Sequence, residues 1–142
     1  LAQWKARVAA AWGGVSLRLA RPPPAHADYD SRIPLEVLVQ LNGLSAREVR
    51  VECVIHRNMC SELAVPVKQY SSHGRTTDGV RHIGREPVFV APLVAGSEGG
   101  GEVSYRLELE PPWCGGLRLR IRAMPCHDSL LNPGETGLMR WL

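Results

Sequence analysis

An antiparallel β-sandwich led by one helix is the fold class this sequence predicts, and three observations predict it. Leu117-Arg118-Leu119-Arg120-Ile121-Arg122-Ala123 alternates apolar and charged side chains without a break, a period of two that suits a strand with one buried and one wet face. Val103 to Glu110 repeats the pattern, and the intervening Pro111-Pro112-Trp113-Cys114-Gly115-Gly116 has the composition of a reversing loop. The pair reads as a β-hairpin. Further short strand signals, separated by turn signals, recur from Val15 to the end of the chain. Their number, about seven or eight, fits a mainly β, immunoglobulin-like antiparallel sandwich.

The elements follow in order. Leu1, Trp4, Val8, Ala11 and Trp12 recur at helical spacing, which gathers them on one side of a short amphipathic helix. Gly13-Gly14 stops it. Trp4, Val8 and Trp12 form a docking face. Each indole buries roughly 150–250 Å², several kcal/mol at about 25 cal/mol per Å², so the face demands cover from a sheet or a preceding domain. Val15, Leu17 and Leu19 make a first strand before Arg21-Pro22-Pro23-Pro24 breaks regular structure. Ile33, Leu35, Val37, Val39 and Leu41 make a second strand, closed by the turn signal Asn42-Gly43. Ser45 is placed to cap a single helical turn or to start a second bend. Val49, Val51, Cys53 and Ile55 then alternate with polar residues as a third strand, antiparallel and adjacent to the second.

From Arg57 to Gly101 the pattern weakens. Two edge strands are expected, around Leu63–Val67 and Val88–Val90, with loops over Tyr70–Gly79 and Ala95–Gly101. After the hairpin, Met124 to Gly134 is irregular, and Leu138–Leu142 supplies a last strand. Residues 1–14 are therefore expected to form a helix linking to or docking on a preceding domain, and residues 15–142 a single sandwich domain.

Fifteen arginines and two lysines against 14 acids give a net charge of +3, spread along the chain, which does not favour nucleic-acid binding. Apolar runs such as Val88–Ala95 are too short to span a bilayer, and no membrane is expected as a partner. The chain opens at Leu1 inside an amphipathic pattern and without a signal segment, so a cytoplasmic piece of something longer is expected. Cys53, Cys60, Cys114 and Cys126 contain no Cys-x-x-Cys pair, and reduced thiols are expected.

No residue is assigned to catalysis, to a cofactor or to a metal. His127-Asp128-Ser129 holds the residue types of a hydrolase triad, yet adjacent residues in an irregular loop do not aim a base at a nucleophile. His56, His73, His82 and His127 show no ligand spacing. Lys5 and Lys68 lie in settings unlike that of a Schiff-base lysine. Gly99-Gly100-Gly101 runs into a strand, not a helix, and so is no phosphate loop. The row Arg118, Arg120 and Arg122 is read as a solvated face paired with Glu108 and Glu110 across the hairpin, such pairs contributing roughly 0.2–1 kcal/mol each. Trp113, at a loop tip, is the candidate carbohydrate contact.

Several segments, taken together and in this order, are similar to the C-terminal end of the bacterial α-glucan (glycogen) phosphorylases. They are Leu1 to Trp12 followed by Gly14-Val15, then Pro34 to Val49, Gly101 to Tyr105, Gly115 to His127, Leu130, and Gly137 to Trp141. The similarity is patchy from Arg57 to Gly100. The resemblance implies a parent enzyme that transfers glucosyl units from α-1,4-glucan to phosphate, giving glucose 1-phosphate with pyridoxal phosphate as cofactor. That family's cofactor lysine ends a Gly-Thr-Ser-containing segment in Met-Lys, which neither Lys5 nor Lys68 matches. The implied role is a non-catalytic accessory domain with no cofactor of its own, whose partners are the catalytic body and α-glucan. The alternative reading is a free-standing carbohydrate-binding or protein-interaction sandwich that uses Trp113.

Overall fold

The computed structural model describes residues 1–28, 30–57, 88–112 and 114–142. The expected strand at Leu63–Val67, the loop Tyr70–Gly79, and Cys60, Lys68, His73, His82 and Trp113 lie outside the described residues. Helix α1 spans Ala2–Trp12. The strands are β1 Ser16–Arg21, β2 Ile33–Gln40, β3 Val49–Arg57, β4 Val88–Pro92, β5 Val94–Gly99, β6 Glu102–Leu109, β7 Leu117–Pro125 and β8 Arg140–Trp141.

Among the described residues these strands form two four-stranded antiparallel sheets, ordered β1-β2-β6-β5 and β4-β3-β7-β8. Strand for letter, this is the A-B-E-D sheet of an immunoglobulin-type sandwich facing a C′-C-F-G sheet. The fold class is the expected one. Alternation drives it: along β2 every second side chain, Ile33, Leu35, Val37 and Val39, is buried and the intervening ones are half-buried. On the facing sheet Val51, Cys53, Ile55, Ile121 and Ala123 close the core.

Two expected strand pairings are not formed. The second and third strands, β2 and β3, lie in different sheets, and so do β6 and β7, so the predicted final hairpin is a cross-sheet connection. The reason is that a period of two reports one buried face and is silent on where the next strand sits. A neighbour about 4.8 Å away in the same sheet and one about 10 Å away in the facing sheet bury that face equally well. The Asn42-Gly43 turn does form: both residues have positive φ, and the Leu44 N–H donates to the Leu41 carbonyl at 3.0 Å. It leads into Leu44, which is buried like Leu41, and then into a 3₁₀ turn at Ala46–Glu48 that delivers the chain to the other sheet. Ser45 caps that turn.

A third expectation is also corrected, since Ala95–Gly101 is not simply a loop. Val94–Gly99 is β5, an edge strand exposed at every position, whose ladder with β6 is irregular between Ala95 and Glu98. A strand with one partner and no buried face needs no apolar alternation, so its Gly- and Ser-rich composition carried no strand signal. Gly100 and Gly101, both with positive φ, make the turn into β6.

Candidate functional site

The helix-bearing end of the sandwich gathers most of the long-range polar contacts made by α1. Gly13-Gly14 ends the helix, and the N–H groups of Gly14 and Val15 cap the Ala11 and Trp12 carbonyls. Asn42 Nδ2 donates to the Ala11 carbonyl at 2.8 Å. A side chain at position 14 would collide with this amide, since a Cβ built there lies 2.3 Å from Asn42 Nδ2. The glycine that stops the helix is therefore also what lets the β2–β3 turn approach it.

Val8 and Trp12, expected to dock on a sheet or a preceding domain, are buried in this chain's own core at 0% and 4% exposure. Trp4 packs half-buried against that core. Its indole N–H donates to Glu48 Oε1 at 2.9 Å, and its ring lies 4.7 Å from that of His127. Glu48 is the hub of this end. Its carboxylate accepts from the Ser45 N–H and hydroxyl at 2.9 and 3.0 Å, completing a capping box, and pairs with the Arg7 guanidinium. The Arg7 bonds, followed by the Ser45 N–H, hold the Glu48 carboxyl down at about 2. Ionised and occupied by donors, it is unsuited to act as a general base near neutral pH.

Two further links tie α1 to the end of the chain. Lys5 Nζ pairs with Glu135 at 2.8 Å, and that bond leads the causes that lower the Glu135 carboxyl. Arg140 Nη2, from β8, donates to the Trp12 carbonyl at 3.2 Å, placing a cation at the helix C-terminus. On the core side, the Tyr105 hydroxyl lies 3.2 and 3.1 Å from the Ala46 and Val49 carbonyls, and burial pushes it up to about 12. Burial likewise raises the Cys53 thiol to about 12, which keeps it protonated and unreactive.

His127, Asp128 and Ser129 do not assemble as a triad. His127 Nδ1 accepts the backbone N–H of Ser129 at 3.1 Å, and its ring is packed on Trp4. Among the described residues, no three His, Cys, Asp or Glu side chains group as a metal site. Nor is any described helix long and apolar enough to cross a membrane. Cys53, Cys114 and Cys126 are free thiols.

Of the arginine row, Arg122 pairs with a carboxylate, but on β3 and not on β6, because β6 is not alongside β7. Arg122 donates through Nε and Nη2 to Glu52 Oε2 at 2.9 and 2.8 Å, and Arg50 reaches Glu52 Oε1 at 2.7 Å. Glu52 is 4% exposed, so one buried carboxylate holds two strands together at this point. Arg120 instead lies over the Trp141 ring, 4.1 Å from its centroid. Arg106 pairs with Glu36 of β2 at 3.0 Å, and Glu110 with Arg32 at 3.3 Å. Sequence reasoning found Trp4 and Trp12 but missed Glu48, Glu52 and Arg140. The one signal available for Glu48 was its position three residues after Ser45.

These observations define an immunoglobulin-type sandwich with a helix pinned to one end. The chain matches no protein-family model, no curated protein and no solved structure.

Proposed function

We propose that this chain is the non-catalytic C-terminal accessory domain of a cytoplasmic α-glucan phosphorylase, a parent enzyme that uses pyridoxal phosphate to move glucosyl units from α-1,4-glucan to phosphate. The observation that carries the reading is the convergence of the segments that resemble that family. Leu1 to Trp12 supplies Trp4, Arg7 and Trp12; Pro34 to Val49 supplies Glu48; Gly115 to His127 supplies His127; Gly137 to Trp141 supplies Arg140. Their side chains meet at the helix-bearing end: Trp4 and Arg7 on Glu48, Trp4 on His127, Arg140 on the Trp12 carbonyl. Segments far apart in sequence thus resemble one family and also build one structural unit. Val8 and Trp12 are taken up by the sandwich, so docking on a catalytic body falls to the exposed side of α1 and to the sandwich surface.

The reading frame upstream of Leu1 provides the test. It must encode a Gly-Thr-Ser-containing segment ending in Met-Lys, and a frame without one ends the proposal. Calorimetry of the chain with maltooligosaccharides tests the free-standing module instead. Tight binding that is lost in Trp113→Ala supports the module, and the absence of heat excludes it.

A further inference from the structure

We propose that Asn42 is a modification site: its side-chain amide is lost to spontaneous deamidation, and the product releases the end of α1 from the sandwich. Three asparagines occur in the chain, and the reaction uses the backbone nitrogen of the following residue as nucleophile. Asn132 precedes Pro133, whose nitrogen carries no hydrogen, and Asn58 precedes the bulky side chain of Met59. Asn42 precedes Gly43, which has no Cβ to shield its nitrogen. Both residues are exposed, and their positive φ angles, 49° and 86°, place them at the tip of the turn. Hydroxide takes the Gly43 amide proton, and the nitrogen attacks Asn42 Cγ. An N–Cγ bond forms, the Cγ–Nδ2 bond breaks, and the amide leaves as ammonia with a proton from water. Water then opens the succinimide at either carbonyl, leaving aspartate or isoaspartate. The chemistry needs only this chain and water, whatever larger protein carries it.

What the reaction removes is a contact that α1 uses. Asn42 Nδ2 donates to the Ala11 carbonyl at 2.8 Å, in the last turn of the helix. That bond is solvent-exposed, so it opens locally without global unfolding. A carboxylate oxygen in place of Nδ2 sets an acceptor against an acceptor and adds negative charge at the negative end of the helix. It also lies in the close approach to Gly14, where a Cβ would be 2.3 Å from Nδ2. Arg140, the cation at this end, is held by the Trp12 carbonyl at 3.2 Å. Isoaspartate in addition lengthens the backbone inside the turn that the Leu44 N–H closes on the Leu41 carbonyl at 3.0 Å. Leu41 and Leu44 are both buried, so the turn cannot relax without disturbing the core.

The test incubates the whole chain at mildly alkaline pH and maps its tryptic peptides by mass spectrometry. The mass gain of amide-to-acid conversion is expected in the peptide Ile33–Arg47 and not in those carrying Asn58 or Asn132. Modified chains, separated by their extra negative charge, should exchange the α1 amides on the order of tenfold faster than unmodified ones, the loss of one hydrogen bond. Asn42→Asp, made directly, should show the same acceleration. If Asn42 stays intact in the chain while a synthetic Leu38–Arg47 peptide converts fully, the site is overturned. Equal α1 exchange in modified chains, Asn42→Asp and wild type overturns the release.

Discussion

The helix-bearing end and the β7–β8 side of the molecule are finished in opposite ways. At the first, the termini of α1 and of the 3₁₀ turn find named partners: Glu48 takes the Ser45 N–H, Arg140 the Trp12 carbonyl, Asn42 the Ala11 carbonyl. At the second, among the described residues, β8 pairs only Arg140 and Trp141 with β7, and Arg120 lies over the Trp141 ring. Both sides share the same core residues, so hydrophobic burial does not distinguish them. The difference lies in directional contacts, which bind the helix to the sandwich at one end and a surface arginine to an aromatic ring at the other.

Substitutions break this comparison with graded force. Ile121→Asp puts a carboxylate into the shared core, and since burying an unpaired charge costs more than a domain's margin of about 5–15 kcal/mol readily tolerates, no cooperative unfolding transition should be seen by circular dichroism. Trp12→Ala empties the helix–sandwich contact and should cost about 3–5 kcal/mol in denaturant titration, with loss of the helical signal ahead of the sheet signal. Glu48→Gln weakens the hub by roughly 1–3 kcal/mol at neutral pH.

That last substitution carries a pH signature. The folded Glu48 carboxyl sits at about 2, below its ordinary 4.5, so its stabilisation is complete above about 4.5 and is lost as the pH falls toward 2. The gap between wild type and Glu48→Gln should therefore narrow through that window. A gap independent of pH would show that the bonds, not the ionisation, carry the effect. Arg120→Ala, by contrast, removes one surface cation–π contact and should shift stability in the same denaturant titration by about 0.5 kcal/mol.

Strand positions were legible because β2, β3, β6 and β7 each turn an alternating set of apolar residues into the core, although burial itself is less regular, β3 also burying Glu52 and Val54. Pairing was not legible, because the turn signal at Asn42-Gly43 and the loop at Pro111–Gly116 look alike whether the chain doubles back in one sheet or crosses to the other. The eight residues between Gln40 and Val49 were the available warning, being too long for a two-residue hairpin and carrying the buried Leu41 and Leu44. β5 was invisible because an exposed edge strand imposes no pattern. At the helix end, Trp4, Val8 and Trp12 stood out by spacing alone. Their polar partners, Glu48 and Arg140, lie 44 and 128 residues away from Trp4 and Trp12; the spacing of Glu48 from Ser45 hints at a cap but not at Trp4, and Arg140 has no local signature.

The central claim is the place of this domain in a larger enzyme, and purification of the native polypeptide that carries the sequence tests it most directly. The account predicts that bound pyridoxal phosphate and phosphate-dependent release of glucose 1-phosphate from α-1,4-glucan travel with that polypeptide. A native polypeptide with neither would contradict it.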